Sequence, residues 1–249
     1  MNLLASWLAS PPPDAAVEIA PTHVSAASVA SRGSTGAGMT VRSYAVEPLP
    51  PGSITASLGS HNIVDRPAVT AAVRTVLERL EARTPRIALV IPDLAAKVSL
   101  IRFDDVPARR DDLDQLVRWQ LRKSAPFPID DACVTYSAGV RGVDGGAEFV
   151  VALARRDIVE EYEGVCADAG TYAGLVDLST FSLLNLVLAS PGGSESDYLA
   201  VHMRAEYTSI AIVRGGDVVF FRNRPEGGDE TLPDLVHQTA MYYEDRLSG

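Results

Sequence analysis

Ala15-Ala16-Val17-Glu18-Ile19-Ala20-Pro21-Thr22-His23-Val24-Ser25-Ala26-Ala27-Ser28-Val29-Ala30 is the stretch on which the reading of this chain turns. Ala15 to Ala20 predicts one strand and Val24 to Ala30 a second, with a tight turn between them. Gly33-Ser34-Thr35-Gly36-Ala37-Gly38 then predicts a flexible connection into a third strand, Met39 to Val46. Glu47-Pro48-Leu49-Pro50-Pro51-Gly52 breaks the sheet pattern, since proline brings no amide hydrogen to a ladder. A helix follows from about Arg66, with Asp65 as its cap and Pro67 in the first turn. Val69, Val73, Val76, Leu77 and Leu80 recur at helical spacing and define its buried face.

The same order returns near the end of the chain. Tyr198–Arg204, Thr208–Val213 and Val218–Asn223 predict a three-stranded meander, turned at Gly215-Gly216, and a helix runs from about Thr231 to Leu247. Between the two sets, the segment from Arg86 to Ala154 has its own rhythm. Ile87-Ala88-Leu89-Val90-Ile91 is a continuous apolar strand and Lys97 to Phe103 a second one. A helix over about Arg110 to Lys123 buries Leu113, Leu116, Val117 and Leu121, and Pro126-Phe127-Pro128 stops it. Strands near Ala132–Val140 and Ala147–Ala154 meet at Asp144-Gly145-Gly146, a hairpin signal. This β-β-α-β-β block reads as an inserted subdomain. A helix from about Asp157 to Asp168, closed by Gly170, a short strand Gly174 to Leu178 and an apolar helix Phe181 to Leu188 complete the first half. Pro191-Gly192-Gly193-Ser194 marks the internal boundary.

These readings divide the chain into a tail (1–13), a first half (14–85 and 155–190) interrupted by the insertion (86–154), and the start of a second half (197–249). At 249 residues, one or two domains with a full-sized core are expected. Apolar residues at 47% and charged residues at 22% exclude wholesale disorder. Acids outnumber bases by 32 to 22, a net charge of −10 that repels phosphate backbones and argues against nucleic acid as a partner. Two cysteines, Cys133 and Cys166, cannot form a disulfide framework and read as buried thiols. No apolar run has the length of a membrane span, and Met1-Asn2-Leu3-Leu4-Ala5-Ser6-Trp7-Leu8 lacks the cationic start of a signal peptide, so a cytoplasmic location is expected. That tail carries Leu3, Leu4, Trp7 and Leu8 at helical spacing but no Lys or Arg before Pro11-Pro12-Pro13.

No catalytic constellation emerges. Gly33, Gly36 and Gly38 lack the Gly-Lys-Ser/Thr ending of a phosphate loop. His23, His61, His202 and His237 have no metal-ligand spacing. Asp111-Asp112-Asp114 sits in a helix's first turn, where acids answer the macrodipole, and no serine lies on a nucleophile elbow.

The order of elements, with Ile54–Val64, Ala88-Leu89-Val90-Ile91-Pro92, the helix-to-corner stretch Leu116–Pro128, Val176-Asp177-Leu178, Val219–Arg224 and Met241–Leu247, resembles the PilM-like proteins of type IV pilus assembly. The resemblance implies an α/β, actin-like (ribonuclease H-like) fold of two halves with a small insertion, the second half incomplete here. It implies a cytoplasmic scaffold that binds the cytoplasmic tail of a PilN-like inner-membrane protein and meets other platform components or assembly ATPases, with room for self-association. The tail would dock as an extended peptide between the first half and the insertion. On this chain that points to Val98, Leu100, Phe103, Phe127 and Ile129, and Asn2-Leu3-Leu4 is similar to the short apolar motif such partners present.

ATP and Mg²⁺ in the resembled family sit on two Asp-x-Gly turns, one per half. At the first this chain has Glu18-Ile19-Ala20-Pro21, where Ala20 restricts the turn and Pro21 removes a donor. At the second it has His202-Met203-Arg204, with neither acid nor glycine. No cofactor, no metal and no ATP hydrolysis are therefore expected. Two alternatives remain: the cytoplasmic domain of a type II secretion L-like protein, and an ATP-binding protein with divergent phosphate loops.

Overall fold

The computed structural model describes residues 13–31, 39–80, 85–142, 145–190, 197–228 and 230–247. The N-terminal Leu/Trp tail, the Gly33–Gly38 connection and the Pro191–Ser194 boundary lie outside them. The chain divides into two compact units: residues 1–96, 126–133 and 154–182, and residues 97–125, 134–153 and 183–249.

The first unit is built on a five-stranded sheet. Its strands are β1 (Ala15–Ile19), β2 (His23–Ser31), β3 (Met39–Pro48), β4 (Arg86–Ile91) and β8 (Tyr172–Leu178), in the order β3-β2-β1-β4-β8. β1, β2 and β3 pair antiparallel, whereas β1 with β4 and β4 with β8 pair parallel. Parallel neighbours cannot be joined by a tight turn, so each demands a crossover. Helix α1 (Arg66–Arg79) supplies the one before β4, and α3 (Arg156–Asp168) leads into β8. One face of the sheet alternates Ala15, Val17 and Ile19 on β1 with Ile87, Leu89 and Ile91 on β4, all buried. α1 presents Val69, Val73, Val76 and Leu80 to the core, as its spacing predicts.

Capping fixes where α1 begins. The Asp65 carboxylate accepts from the Ala68 amide at 3.0 Å and proline stands in the first turn, a cap worth about 1 kcal/mol. The segment before it is held by Asn62, fully buried. Its carbonyl accepts from the Ser57 amide at 2.7 Å and its amide group donates to the carbonyls of Ser57 and Ser60. Glu161 on α3 accepts from the Asn62 amide at 2.8 Å and also engages His61. Gly170 closes α3 at φ +90°, a conformation that a Cβ would strain. Cys166 is buried on α3, and burial pushes its thiol up to about 12, which keeps it protonated and inert.

Corrections to the sequence reading concern β4 and the ends of elements. The Arg86 block does not form one subdomain, because the ladders to β1 and β8 place β4 at the heart of the large sheet. Ile87, Leu89 and Ile91 of this apolar strand are buried, and Ala88 and Val90 are half-buried. The small sheet starts at β5 (Ala96–Phe103) and orders as β5-β7-β6, with β6 Ala132–Arg141 and β7 Ala147–Arg155. α2 (Arg110–Leu121) joins β5 to β6 and buries Val117 and Leu121, while Leu113 and Leu116 are half-buried. Phe103, Phe149 and Tyr136 stack edge-on, one from each strand.

The second unit also carries β9 (Tyr198–Met203), β10 (Tyr207–Arg214) and β11 (Asp217–Pro225), a meander with β10 in the centre, then α5 (Leu232–Leu247). It repeats β1-β2-β3 in backbone detail. The Ala20 amide donates to the His23 carbonyl at 2.9 Å, and the Arg204 amide to the Tyr207 carbonyl at 2.8 Å. His23 pairs with Pro48 as Tyr207 pairs with Pro225. The next residue, Leu49 or Glu226, donates to the turn carbonyl of Thr22 or Glu206. Two distant sequences thus close one turn in one way.

Leu89 is fully buried on β4, between β1 and β8, so Leu89→Ala is expected to lower stability by about 3 kcal/mol. Val64→Ala, at an exposed position, is expected to stay within about 0.5 kcal/mol. Urea unfolding of both variants checks the pair.

Candidate functional site

Register brings carboxylates to the carboxyl ends of the three parallel strands. Glu18 on β1 pairs with Val90 on β4, and Val90 with Asp177 on β8, so the two acids share one row and one face of the sheet. Asp93 follows β4 in a 3₁₀ turn (Asp93–Ala95) and is buried. Ends of parallel strands are where open α/β sheets hold ligands.

Each acid is engaged by the chain itself, chiefly by the first turn of α4 (Ser179–Leu188). Glu18 accepts from the Ser179 hydroxyl at 2.9 Å and the Ser25 hydroxyl at 3.3 Å. Asp93 accepts from the Thr180 amide at 3.0 Å and from the Thr180 hydroxyl. Asp177 accepts from the Leu178 amide at 2.8 Å and the Ser182 hydroxyl at 3.0 Å. Burial raises the Asp177 pKa above the ordinary carboxylate value, and nearby Asp93 raises it further, against the lowering by its two hydrogen bonds. Among the described residues no group of three or more His, Cys, Asp or Glu side chains is placed to hold a metal.

The two turns that carry phosphate in the resembled family are tied internally. Ala20 and Arg204 commit their amides to the carbonyls of His23 and Tyr207, and Pro21 has none to offer. Ala20 is buried, and the His202 ring stands edge-on to Tyr207 at 6.0 Å. A phosphate gathers affinity from several convergent backbone N–H groups; at these turns the amide in the glycine position faces its own hairpin.

The residues expected to receive a partner peptide separate by burial. Val98 and Leu100 are half-buried on one face of β5. Phe103 falls on the other face, buried with its ring 5.8 Å from Phe149. Ile129, in a 3₁₀ turn (Ile129–Asp131), is buried too, and Phe127 is half-buried. Phe103 and Ile129 are thus spent on packing. Val98, Leu100 and Phe103 belong to the second unit, Phe127 and Ile129 to the first. β5 is an edge strand, so its outer row of amides and carbonyls has no ladder partner among the described residues.

Sequence reasoning singled out Glu18 but not Asp93, Ser179, Thr180 or Ser182. The usable signal was local: an acid just after an apolar strand, and a Ser/Thr pair directly following Asp177-Leu178. Which hydroxyl meets which acid depends on the pairing of β1 with β4 and β8.

The family model for the type IV pilus assembly protein PilM matches residues 16–246. This chain belongs to that family. Among solved structures it is similar to a chain of the PilM-PilN type IV pilus biogenesis complex, at a TM-score of 0.72 and 19% identity, covering 94% of this chain and 66% of that one. The chain therefore spans just under two thirds of that relative's length. The cytoplasmic domain of EpsL, an inner-membrane component of the type II secretion system of Vibrio cholerae, is similar at a TM-score of 0.50 and 10% identity, covering 85% of this chain and 70% of that domain. A Bacteroides thetaiotaomicron protein described as having an actin-like ATPase fold and unknown function aligns at 0.48 with 7% identity, over 92% of this chain and 75% of that one. The mixed α/β fold expected from the sequence is the fold of the chain, and it is shared with that chain of the PilM-PilN complex. No helix among the described residues is long and apolar enough to cross a membrane.

The raised pKa of Asp177 sets a direction with pH. Its charge costs stability above the raised folded value, and the cost fades as pH falls from there towards the unfolded value. Asp177→Asn keeps the acceptor for Leu178 and is expected to be more stable than the parent at neutral pH, with the gap closing on acidification. Urea unfolding across a pH series reads it; a gap unchanged by pH contradicts this account.

Proposed function

We propose that the protein is a non-hydrolytic scaffold of a type IV pilus assembly platform on the cytoplasmic side of the inner membrane. There it holds the cytoplasmic tail of a PilN-like membrane protein. Membership of the PilM family supports the pilus role, and the relative solved as a PilM-PilN complex supports the class of partner. The observation that carries the non-hydrolytic part is the pair of turns: the Ala20 and Arg204 amides bond within their own hairpins, and Pro21 adds no donor. The carboxylates nearest the strand ends are likewise met by Ser179, Thr180 and Ser182.

The tail binds as an added strand on the outer edge of β5. Main-chain hydrogen bonds supply affinity there, and the alternate side chains Val98 and Leu100 read apolar residues of the peptide. Such pairing tolerates a short apolar motif within a mobile tail, which suits a connection between a membrane protein and a platform component.

Titration calorimetry with a synthetic peptide of a PilN-like cytoplasmic tail tests the reading. Val98→Arg and Leu100→Arg are each expected to weaken binding at least tenfold, with circular dichroism and the melting temperature confirming an intact fold. Mg-ATP at a hundred times the dissociation constant of a true site adds about 2.7 kcal/mol of stability; no such shift is expected. Absence of peptide binding together with a clear ATP shift reverses the assignment.

A further inference from the structure

The last turns of α2 depart from the charge of the rest of the chain. Acids exceed bases by ten overall, yet no acid occurs from Gln115 to Ile129, where Arg118, Arg122 and Lys123 fall. A helical projection puts exposed Gln115, Trp119 and Arg122 on the side opposite buried Val117 and Leu121, with half-buried Arg118 on the flank, and Lys123 follows at the helix end. Trp119 is 54% exposed, and the Lys123 ammonium stands 4.8 Å from its ring centroid. Lys97, at the start of β5, donates to the Ser124 carbonyl at 2.8 Å and adds a fourth cation to the same end. Of the three acids at the other end, Asp112 lies 3.9 Å from Arg109 and Asp114 accepts from the Tyr136 hydroxyl.

Cations in the last turn answer the helix dipole, and that explains their sign. It does not explain an indole held in water among them. An exposed tryptophan ringed by flexible Lys and Arg side chains is the composition of a helix surface that rests in the headgroup layer of a bilayer. The ring sits at the interface and the ammonium and guanidinium groups meet anionic lipid. We propose that this end of α2, through Trp119, Arg122, Lys123 and Lys97, contacts an anionic membrane surface.

Charge complementarity fixes the orientation. A chain at net −10 is repelled by an anionic surface except where a local cluster reverses the sign, so this end is the one turned to the lipid. Each Lys or Arg near such a surface contributes modestly, and one tryptophan adds a shallow apolar anchor. The contact is weak and sensitive to salt. It acts as a second point of attachment for a protein brought to the membrane by other means. A projecting indole among mobile side chains suits a fluid headgroup layer better than the fixed carboxylates of an acidic polypeptide, which is the competing occupant.

The experiment uses the full chain with Trp7→Phe, which leaves Trp119 as the reporter. Vesicles of equimolar phosphatidylglycerol and phosphatidylcholine are compared with vesicles of phosphatidylcholine alone, by flotation and by Trp119 fluorescence. Expected are binding and a blue shift with the mixed vesicles only, loss of both in high salt, and quenching by brominated acyl chains. Arg122→Glu with Lys123→Glu should reduce vesicle affinity at least tenfold while the melting temperature and the affinity for the PilN-like tail peptide stay unchanged. Trp119→Ala, followed by flotation, should reduce binding severalfold. Equal binding to both vesicle types, no binding to the mixed ones, or indifference to the charge reversal overturns the proposal. So does tighter binding to a soluble polyglutamate peptide than to the mixed vesicles, which assigns the patch to an acidic protein. Because the tail peptide is read separately on β5, failure here leaves the scaffold assignment standing, and the reverse holds as well.

Discussion

Parallel pairing of β4 with β1 on one side and β8 on the other is the constraint from which the first unit follows. Two strands that run the same way must be joined by chain that leaves the sheet and returns. α1 and α3 are those excursions, and they cover the face made by Val17, Ile19, Ile87, Leu89 and Ile91. On β4 that face is buried, while Ala88 and Val90 on the other are half-buried. The same pairing aligns Glu18 with Asp177 across Val90 and places both at the strand ends, next to the first turn of α4. The hydroxyls of Ser179, Thr180 and Ser182 then become the partners of three acids that no local rule connects.

The repeated meander separates geometry from chemistry. Ala20 and Arg204 make the same turn bond, and Pro48 and Pro225 sit at the same register. The residues that decorate the turns share nothing: Glu18 and Pro21 on one, His202 and Arg204 on the other. Hairpin closure needs only one amide, one carbonyl and strands of matched length, so it tolerates such divergence. Phosphate binding needs several amides aimed outward, and it does not. The chain therefore keeps the framework while the glycine-position amides bond within their own hairpins, and the open edge of β5 and the basic end of α2 with its exposed tryptophan are among its accessible features.

Much of the architecture was legible from sequence because it is written in short-range patterns. Alternation gave the strands of both meanders, the spacing of Val69 to Leu80 gave α1, and Asp65 with Pro67 gave its start. Asp144-Gly145-Gly146 gave the β6–β7 hairpin. The burial of the residues expected to meet a partner was less legible. Val98, Leu100 and Phe103 look alike in a run of sequence, yet strand parity sends Phe103 to the opposite face, against Phe149. Ile129 follows a proline corner that reads as surface, and its burial depends on what packs over that corner.

The sequence by itself determined the elements, their order, the family pattern they form and the loss of both glycine turns, since each of these is set by neighbours within a few residues. The tertiary structure alone decided that β4 belongs to the large sheet rather than to the small one. It alone decided that Asp93 and Asp177 are held by α4, and which apolar side chains of β5 are buried and which are half-buried. Those outcomes rest on ladders and contacts between residues far apart in the chain, and periodicity along one segment carries no record of the segment it will meet.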